Sequence, residues 1–185
     1  SFLGIIILLN YIGTRYFFRL DLTQDRQYTI SQSTRKILGN LDDIVTIKVF
    51  FSNKLPANLL SVSEYVRDIL EEYTAFSHGN LQINFIDPAS DPKIREEVAS
   101  LGIPEIQMNI FEKDTFQVQN GYLGIGIFYV DKHEVMPVVQ DTQNLEYQLT
   151  SALRKVTAKE TKVIGLLTES EDYQILREAL AKNYE

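Results

Sequence analysis

The stretch that decides the fold runs from Ile44 to Pro88 and reads "IVTIKVFFSNKLPANLLSVSEYVRDILEEYTAFSHGNLQINFIDP". Its first part is rich in β-branched and aromatic residues, which predicts a buried strand. Apolar residues at helical spacing then predict an amphipathic helix, with Leu59, Val62, Val66, Ile69, Leu70, Tyr73 and Phe76 on its buried stripe. A second strand is expected to direct Leu81, Ile83 and Phe85 inward and to end at Asp87-Pro88, because proline cannot continue a ladder.

The segments on either side extend this strand, helix, strand order. Upstream, Ser31 is an expected N-cap for a short helix. Downstream, Asp91-Pro92 pairs an N-cap with a first-turn proline and opens a helix that runs to Gly102. The strands that follow are punctuated by Asn120-Gly121 and Asp131-Lys132, both suited to tight hairpins. A helix from Asn144 to Ala158 comes next.

The pattern after residue 159 changes again. "KVIGLLTE" is typical of a new buried strand, and a helix is expected from about Glu171 onward. The sequence therefore predicts an α/β fold with a mixed sheet, βαβα followed by antiparallel hairpins and a helix, over residues 44–159. Residues 160–185 are expected to begin a second α/β domain.

Composition narrows the classes of function. The formal net charge is −7 without a basic stripe, which argues against a nucleic-acid partner. The chain has no cysteine, so thiol chemistry and thiolate metal ligands are excluded. With two histidines and no triad spacing, an enzyme is the less expected class, and no cofactor is indicated.

The first 18 residues are interpreted as the end of a transmembrane helix and its interface. "SFLGIIILLNYIG" is too short to span alone, since a spanning helix needs about 20 apolar residues. Aromatic residues between Arg15 and Arg19 suit headgroup depth. The expected anchor residues are Phe2, Leu3, Ile5, Ile6, Ile7, Leu8, Leu9, Tyr11, Ile12, Tyr16, Phe17 and Phe18. The alternative is a buried core helix or a signal-peptide remnant.

Two resemblances follow from these segments. The element order, with "LGIPEIQMNIFEKD" leading into a hairpin, resembles the thioredoxin fold, which implies a cis peptide at Pro104. "FSNKLPANL" lacks the Cys-x-x-Cys pair of that family, so its redox activity is not implied.

The second resemblance covers nearly the whole chain. "RYFFRLDLTQDRQYTISQSTRKILGNLDDIVTIKVFFS", "LPANL", "INFIDPASDP" and "NLEYQLTSALRKVT" resemble the auxiliary membrane-anchored subunits of ABC-type transport systems, including the gliding-motility component of the GldG type. It implies a non-catalytic partner of a permease and an ATPase, anchored in the bacterial inner membrane with an extracytoplasmic domain. Residues 19–43 would then form a juxtamembrane tether and short helix.

Other readings of function stay open. One is an enzyme whose active site lies beyond Glu185, and another is a pure envelope scaffold. Arg15 and Arg19 beside the anchor weakly favour a cytoplasmic exit by the positive-inside rule.

A candidate ligand or partner rim lies at the carboxyl ends of the first two strands, where parallel α/β sheets bind ligands. Its residues are Ser52, Asn53, Lys54, Asp87, Asp91, Ile103 and Pro104. A peptide or a glycan is the expected ligand, and turn formation with helix capping is the simpler explanation of the two aspartates.

Other candidate features favour structural roles. Gly124 and Gly126 lie in a strand pattern, which favours close packing over a phosphate loop. His78 and His133 lack partners at metal-ligand spacing. Glu146, Gln148, Arg154 and Lys155 form a polar helix face that is expected to be solvated, with docking of a partner as the alternative.

Overall fold

The structure is a computed structural model and describes residues 30–112 and 115–158. The elements in chain order are α1 (Gln32–Gly39), β1 (Val45–Phe51), α2 (Ala57–Phe76), β2 (Leu81–Ile86), a 3-10 turn (Pro88–Ser90), α3 (Pro92–Ser100), β3 (Ile106–Glu112), β4 (Thr115–Gly121), β5 (Leu123–Tyr129), β6 (Lys132–Met136) and α4 (Leu145–Thr157). The mixed α/β class predicted from the sequence is confirmed.

The main sheet has four strands in the order β2-β1-β5-β6. β1 and β2 are parallel, whereas β5 is antiparallel to both β1 and β6. Val49 pairs with Phe85 on one side and with Ile125 on the other, so β1 is a central strand. This explains why its sequence is almost continuously apolar, since a central strand is buried on both faces.

Helices α1, α2 and α4 enclose the larger core against one face of this sheet. The side chains of α2 that form its predicted stripe are buried or half-buried. The buried residues of α4 are Leu145, Leu149, Leu153 and Val156. α3 packs on the opposite face, where Val98 and Ile103 contact Phe50. A Cβ built on Gly124 would lie 2.4 Å from Cγ2 of Ile103. Gly124 is therefore needed for close packing, as the sequence indicated.

β3 and β4 form a separate two-stranded ribbon. Its antiparallel register runs from the pair Ile106 and Gly121 to the pair Glu112 and Thr115. Among the residues that the structure describes, neither strand pairs with the main sheet. Met108 is buried at the base of the ribbon, which attaches the ribbon to the larger core.

The hairpin predicted at Asn120-Gly121 is wrong. Both residues belong to β4 and pair with Gln107 and Ile106, and the chain then passes to the main sheet. The passage is close, because a Cβ on Gly121 would lie 2.9 Å from the Ser52 hydroxyl oxygen. The glycine is required for that approach and not for a turn.

Three smaller expectations are also corrected. The second hairpin exists, but Tyr129 pairs with Lys132, so its turn is Val130-Asp131 and not Asp131-Lys132. Phe85 is exposed, because β2 is an edge strand. Its ring packs against the Arg67 guanidinium, whose central carbon is 4.1 Å from the ring centroid. The described residues contain no cis peptide bond, so Pro104 is trans. Pro104 precedes the ribbon and not the strand beside β1.

Val130 has φ = +54° and its side chain is 83% exposed. A β-branched residue in this region is strained, and the left-handed conformation costs about 1–2 kcal/mol for an L-residue. We expect Val130→Asn to raise the free energy of unfolding by about 1 kcal/mol, because asparagine tolerates this conformation. Urea denaturation measures the change.

Val138→Asn is the matched control, because Val138 is also exposed and its φ is not positive. This control should not increase stability. Equal stabilisation by both variants would mean that surface polarity, and not backbone strain, is responsible.

The expectations for residues 1–18, for residues 19–29 of the tether and for the second domain at 160–185 concern residues outside those described. The short helix of that tether is present as α1. Within residues 30–112 and 115–158, no helix is long and apolar enough to cross a membrane.

Candidate functional site

The most elaborate polar arrangement lies where the described chain begins. Ile30 is buried, and Ser31 caps α1 by accepting the Thr34 backbone N–H at 3.3 Å. Glu146 of α4 contacts Ser31 and Thr34 through its Oε1 atom. This oxygen accepts the Ser31 backbone N–H at 2.8 Å and the Thr34 hydroxyl at 2.6 Å.

Two further hydroxyl groups extend this arrangement, that of Thr150 on α4 and that of Tyr73 on α2. The Thr34 and Thr150 hydroxyl oxygens are 3.0 Å apart, and those of Thr150 and Tyr73 are 2.6 Å apart. The Tyr73 hydroxyl also donates to the Glu146 carbonyl oxygen at 3.0 Å. Three helices that are distant in sequence therefore share one hydrogen-bond network. We call Ser31, Thr34, Tyr73, Glu146 and Thr150 the N-terminal joint.

Two ionisable groups in the joint have shifted pKa values. Burial raises the pKa of Glu146, but hydrogen bonds from Thr34 and Ser31, with the nearby Arg35 charge, outweigh it and hold the net pKa below its ordinary value. Burial raises the pKa of Tyr73 far above its ordinary range. At neutral pH the joint therefore combines an ionised carboxylate with a protonated phenol.

The predicted rim is partly assembled. Because β1 and β2 are adjacent and parallel, their following loops meet, and the Asn53 backbone N–H donates to Asp87 Oδ2 at 3.1 Å. The other oxygen of Asp87 accepts the Ala89 N–H at 2.9 Å, and Asp91 caps α3 through the Lys93 N–H at 2.8 Å. Both aspartates thus form the turn and cap that the simpler explanation gave them.

The other rim residues divide into buried and exposed ones. The Ser52 hydroxyl is buried and accepts the Tyr122 N–H at 3.0 Å, and Ile103 is buried in the smaller core. Asn53, Lys54 and Pro104 are exposed. The rim thus presents an amide, an ammonium and a proline ring to a ligand, while its remaining side chains hold the loops.

The two histidines are not brought together with metal ligands. His133 stacks on Phe128 with ring centroids 6.0 Å apart, and His78 lies after α2 with φ = +53°. Within the described part of the chain, no group of three potential ligand residues is close enough to hold a metal ion. A shallow cavity of about 250 Å³ lies elsewhere, lined by α1 residues including Lys36 and Ile37 and by Tyr129 and Thr157.

Sequence reasoning missed the role of Glu146, which it assigned to a solvated helix face with Lys155. Lys155 does remain on the surface, where its Nζ lies 2.7 Å from a Glu134 oxygen. Tyr73 was assigned to the apolar stripe, and its hydroxyl was not considered. The signals available were the Ser31 cap and a threonine three residues later, but neither identifies a partner 112 residues away.

The described residues thus define an α/β domain with a mixed sheet, in which the N-terminal joint links α1 to α2 and α4. The chain belongs to the family described as "Domain of unknown function (DUF7088)", whose model matches residues 24–127. The match begins before the joint and ends within β5.

A relative in Borreliella burgdorferi, described as "Uncharacterized protein", is 29% identical over 149 residues. The aligned region covers 80% of this chain but only 29% of the relative, so the chain spans under a third of that protein's length. No solved structure matches the chain.

Proposed function

We propose that this chain is a membrane-anchored, non-catalytic accessory subunit of an ABC-type transport system and has a binding or coupling role in it. Its partners are the permease and ATPase subunits of that system. The system as a whole would serve gliding motility or the cell envelope. The observation that carries the proposal is the N-terminal joint. A coupling subunit needs a firm connection between its anchor and its domain, and the joint would supply the end of that connection that lies on the domain.

The physical argument rests on where the joint acts. The segment that would descend from the membrane enters the domain at Ile30, which is buried, and at Ser31, whose backbone is bonded to Glu146. Displacing this segment would break charge-assisted hydrogen bonds, which are among the stronger ones in proteins. Movement of the anchor would therefore be passed to α4 and the sheet. Both residues belong to the "YTIS" stretch, which is part of the segments that resemble this family.

The proposed fold type is thioredoxin-like without the redox pair. What supports it is the strand order β2-β1-β5-β6, with β5 antiparallel to β1 and α2 and α4 packed on one face. The β3–β4 ribbon would be an insertion before the third core strand. In this proposal the domain stands on the extracytoplasmic side of the inner membrane, and a peptide or glycan contacts Asn53, Lys54 and Pro104 at the rim.

Purification of the full-length protein from native membranes in mild detergent tests the proposal. A permease and an ATPase with a phosphate-binding Gly-x-x-x-x-Gly-Lys motif should co-purify in fixed proportion. Recovery of the protein from membranes without either one would contradict it, as would recovery from the soluble fraction.

The joint itself is tested in the same complex. Thr34→Val combined with Glu146→Gln should weaken the connection, leave the complex assembled and reduce the ATPase response to transport substrate. Gln148→Ala, on the exposed side of α4, is the matched control and should leave the response unchanged. An unaltered response in the joint variant would remove the coupling role.

A further inference from the structure

The outer edge of β4 is an open strand edge in the part of the chain that the structure describes. β4 pairs with β3 alone, so the backbone groups on its other side have no strand partner there. Gln117, Val118 and Asn120 are exposed, and Val118 is 68% exposed. An open edge of this kind is a ready template for pairing with another strand.

Proteins usually protect such edges with charge, proline or a short strand. β4 reads "TFQVQNG" over seven residues and contains neither a charged residue nor a proline. The edge strands of the main sheet differ. β6 carries Lys132, His133 and Glu134, and β2 has the Arg67 guanidinium stacked on its Phe85 ring. Within the described residues, the β4 edge therefore lacks the protective features that β2 and β6 carry, and it also lacks the glutamate that ends β3 at Glu112.

We propose that two copies of this chain pair through their β4 strands, antiparallel and about a two-fold axis at Val118. A two-fold axis perpendicular to a strand generates antiparallel pairing of that strand with itself. Val118 would then face its own symmetry mate, and Gln117 would face Gln119 of the second copy.

The chemistry of the edge favours a second copy over a charged peptide. Self-pairing brings identical neighbourhoods together, so charged side chains would repel one another across the axis. Glutamine amides both donate and accept hydrogen bonds, so Gln117 and Gln119 are complementary to each other. A valine pair at the axis suits a pleated surface, where β-branched side chains pack well.

The interface would be small, because each copy contributes one strand. Such interfaces belong to the weak class, so dimer formation should depend on protein concentration and be favoured by anchoring in a membrane. The inference does not rest on the transporter role, since it uses only the ribbon.

The absence of cysteine gives a background-free test, because Val118→Cys introduces the only thiol of the chain. In the full chain in mild detergent, mild oxidation or a short bis-maleimide should give a covalent dimer for Val118→Cys. Val130→Cys is the matched control. That position is at least as exposed, on the β5–β6 turn, and should stay monomeric.

Sedimentation of the cysteine-free protein provides a second readout. The unmodified chain should show a reversible monomer–dimer equilibrium. Val118→Lys should raise its dissociation constant by about tenfold or more, since like charges placed opposite each other at an interface repel. Circular dichroism checks that this surface variant remains folded.

Equal cross-linking at positions 118 and 130 would indicate random collision and overturn the proposal. A monomer at all concentrations, with no dimer of Val118→Cys, would overturn it as well. Cross-linking of Val118→Cys in membranes to a different protein, but not to itself, would show that the edge pairs with another partner and would likewise overturn self-pairing.

Discussion

Glu146→Ala is expected to lower the free energy of unfolding by about 3 kcal/mol. The carboxylate accepts a backbone N–H from Ser31 and the hydroxyl of the buried Thr34. Hydrogen bonds to charged groups contribute about 1.5–3 kcal/mol each, and Glu146→Ala removes two of them. Urea denaturation at neutral pH measures the change.

Gln148→Ala is the matched control for this prediction, because Gln148 lies on the exposed side of the same helix. It should change stability by less than about 0.5 kcal/mol, as surface substitutions usually do. Glu146→Gln should fall between the two, since its amide oxygen still accepts hydrogen bonds. Similar losses for Glu146→Ala and Gln148→Ala would mean that helix propensity, and not the joint, dominates.

The pH dependence of stability separates the charge of Glu146 from its shape. The folded-state pKa of Glu146 lies below its ordinary value of 4.5. Its contribution is therefore fully present above that ordinary value and is lost as the pH falls through the folded-state pKa. The stability difference between the natural protein and Glu146→Gln should shrink in acid below pH 4.5. A difference that grows in acid would contradict this sign.

Gly124→Ala is expected to lower the free energy of unfolding by about 2 kcal/mol. A Cβ at this position would lie 2.4, 2.8 and 2.9 Å from three side-chain atoms of Ile103. Ile103 is only 2% exposed and packs against Phe50 and Val98, so it cannot swing aside. Overpacking of this kind costs about 1–3 kcal/mol. Thermal or urea denaturation measures the effect.

Ile103→Ala tests the cause of this loss, because it removes all three side-chain atoms that the new methyl group at position 124 would meet. In the Ile103→Ala background, Gly124→Ala should cost clearly less than it does alone, which a double-mutant cycle measures as coupling. Gly39→Ala is the control, since its Cβ would meet neighbours no closer than 3.7 Å. Strictly additive losses at positions 103 and 124 would contradict the packing argument.

The elements that the sequence predicted correctly are those with a strong local pattern. The stripe of α2 is identified by its helical periodicity, and β1 is identified by its continuous apolar run, since it is buried on both faces. Asp87 and Asp91 were assigned to turn and cap by local chemistry, and that assignment agrees with their hydrogen bonds. Adjacent parallel strands then bring the two loops of the rim together.

The errors have a common physical origin in contacts between distant segments. Asn120-Gly121 suits a hairpin locally, but the close approach of Ser52 and Met108 is what requires a glycine at position 121. Alternation predicted Phe85 inward, yet the position of β2 at the sheet edge leaves it exposed. Glu146 has an ordinary place on a polar helix face, and only the folded chain brings Ser31 and Thr34 to it.

The span of the joint also bears on how the protein is made. Thr34 must wait for Glu146 and Thr150, which are synthesised more than a hundred residues later. Contacts of such long sequence separation carry a large loop-closure cost, which slows folding. During synthesis α1 would leave the ribosome long before its partner on α4, so the entry segment would become fixed only when the domain is nearly complete. Because the chain is synthesised from its N-terminus, the N-terminal joint would become rigid only after α4 has been made.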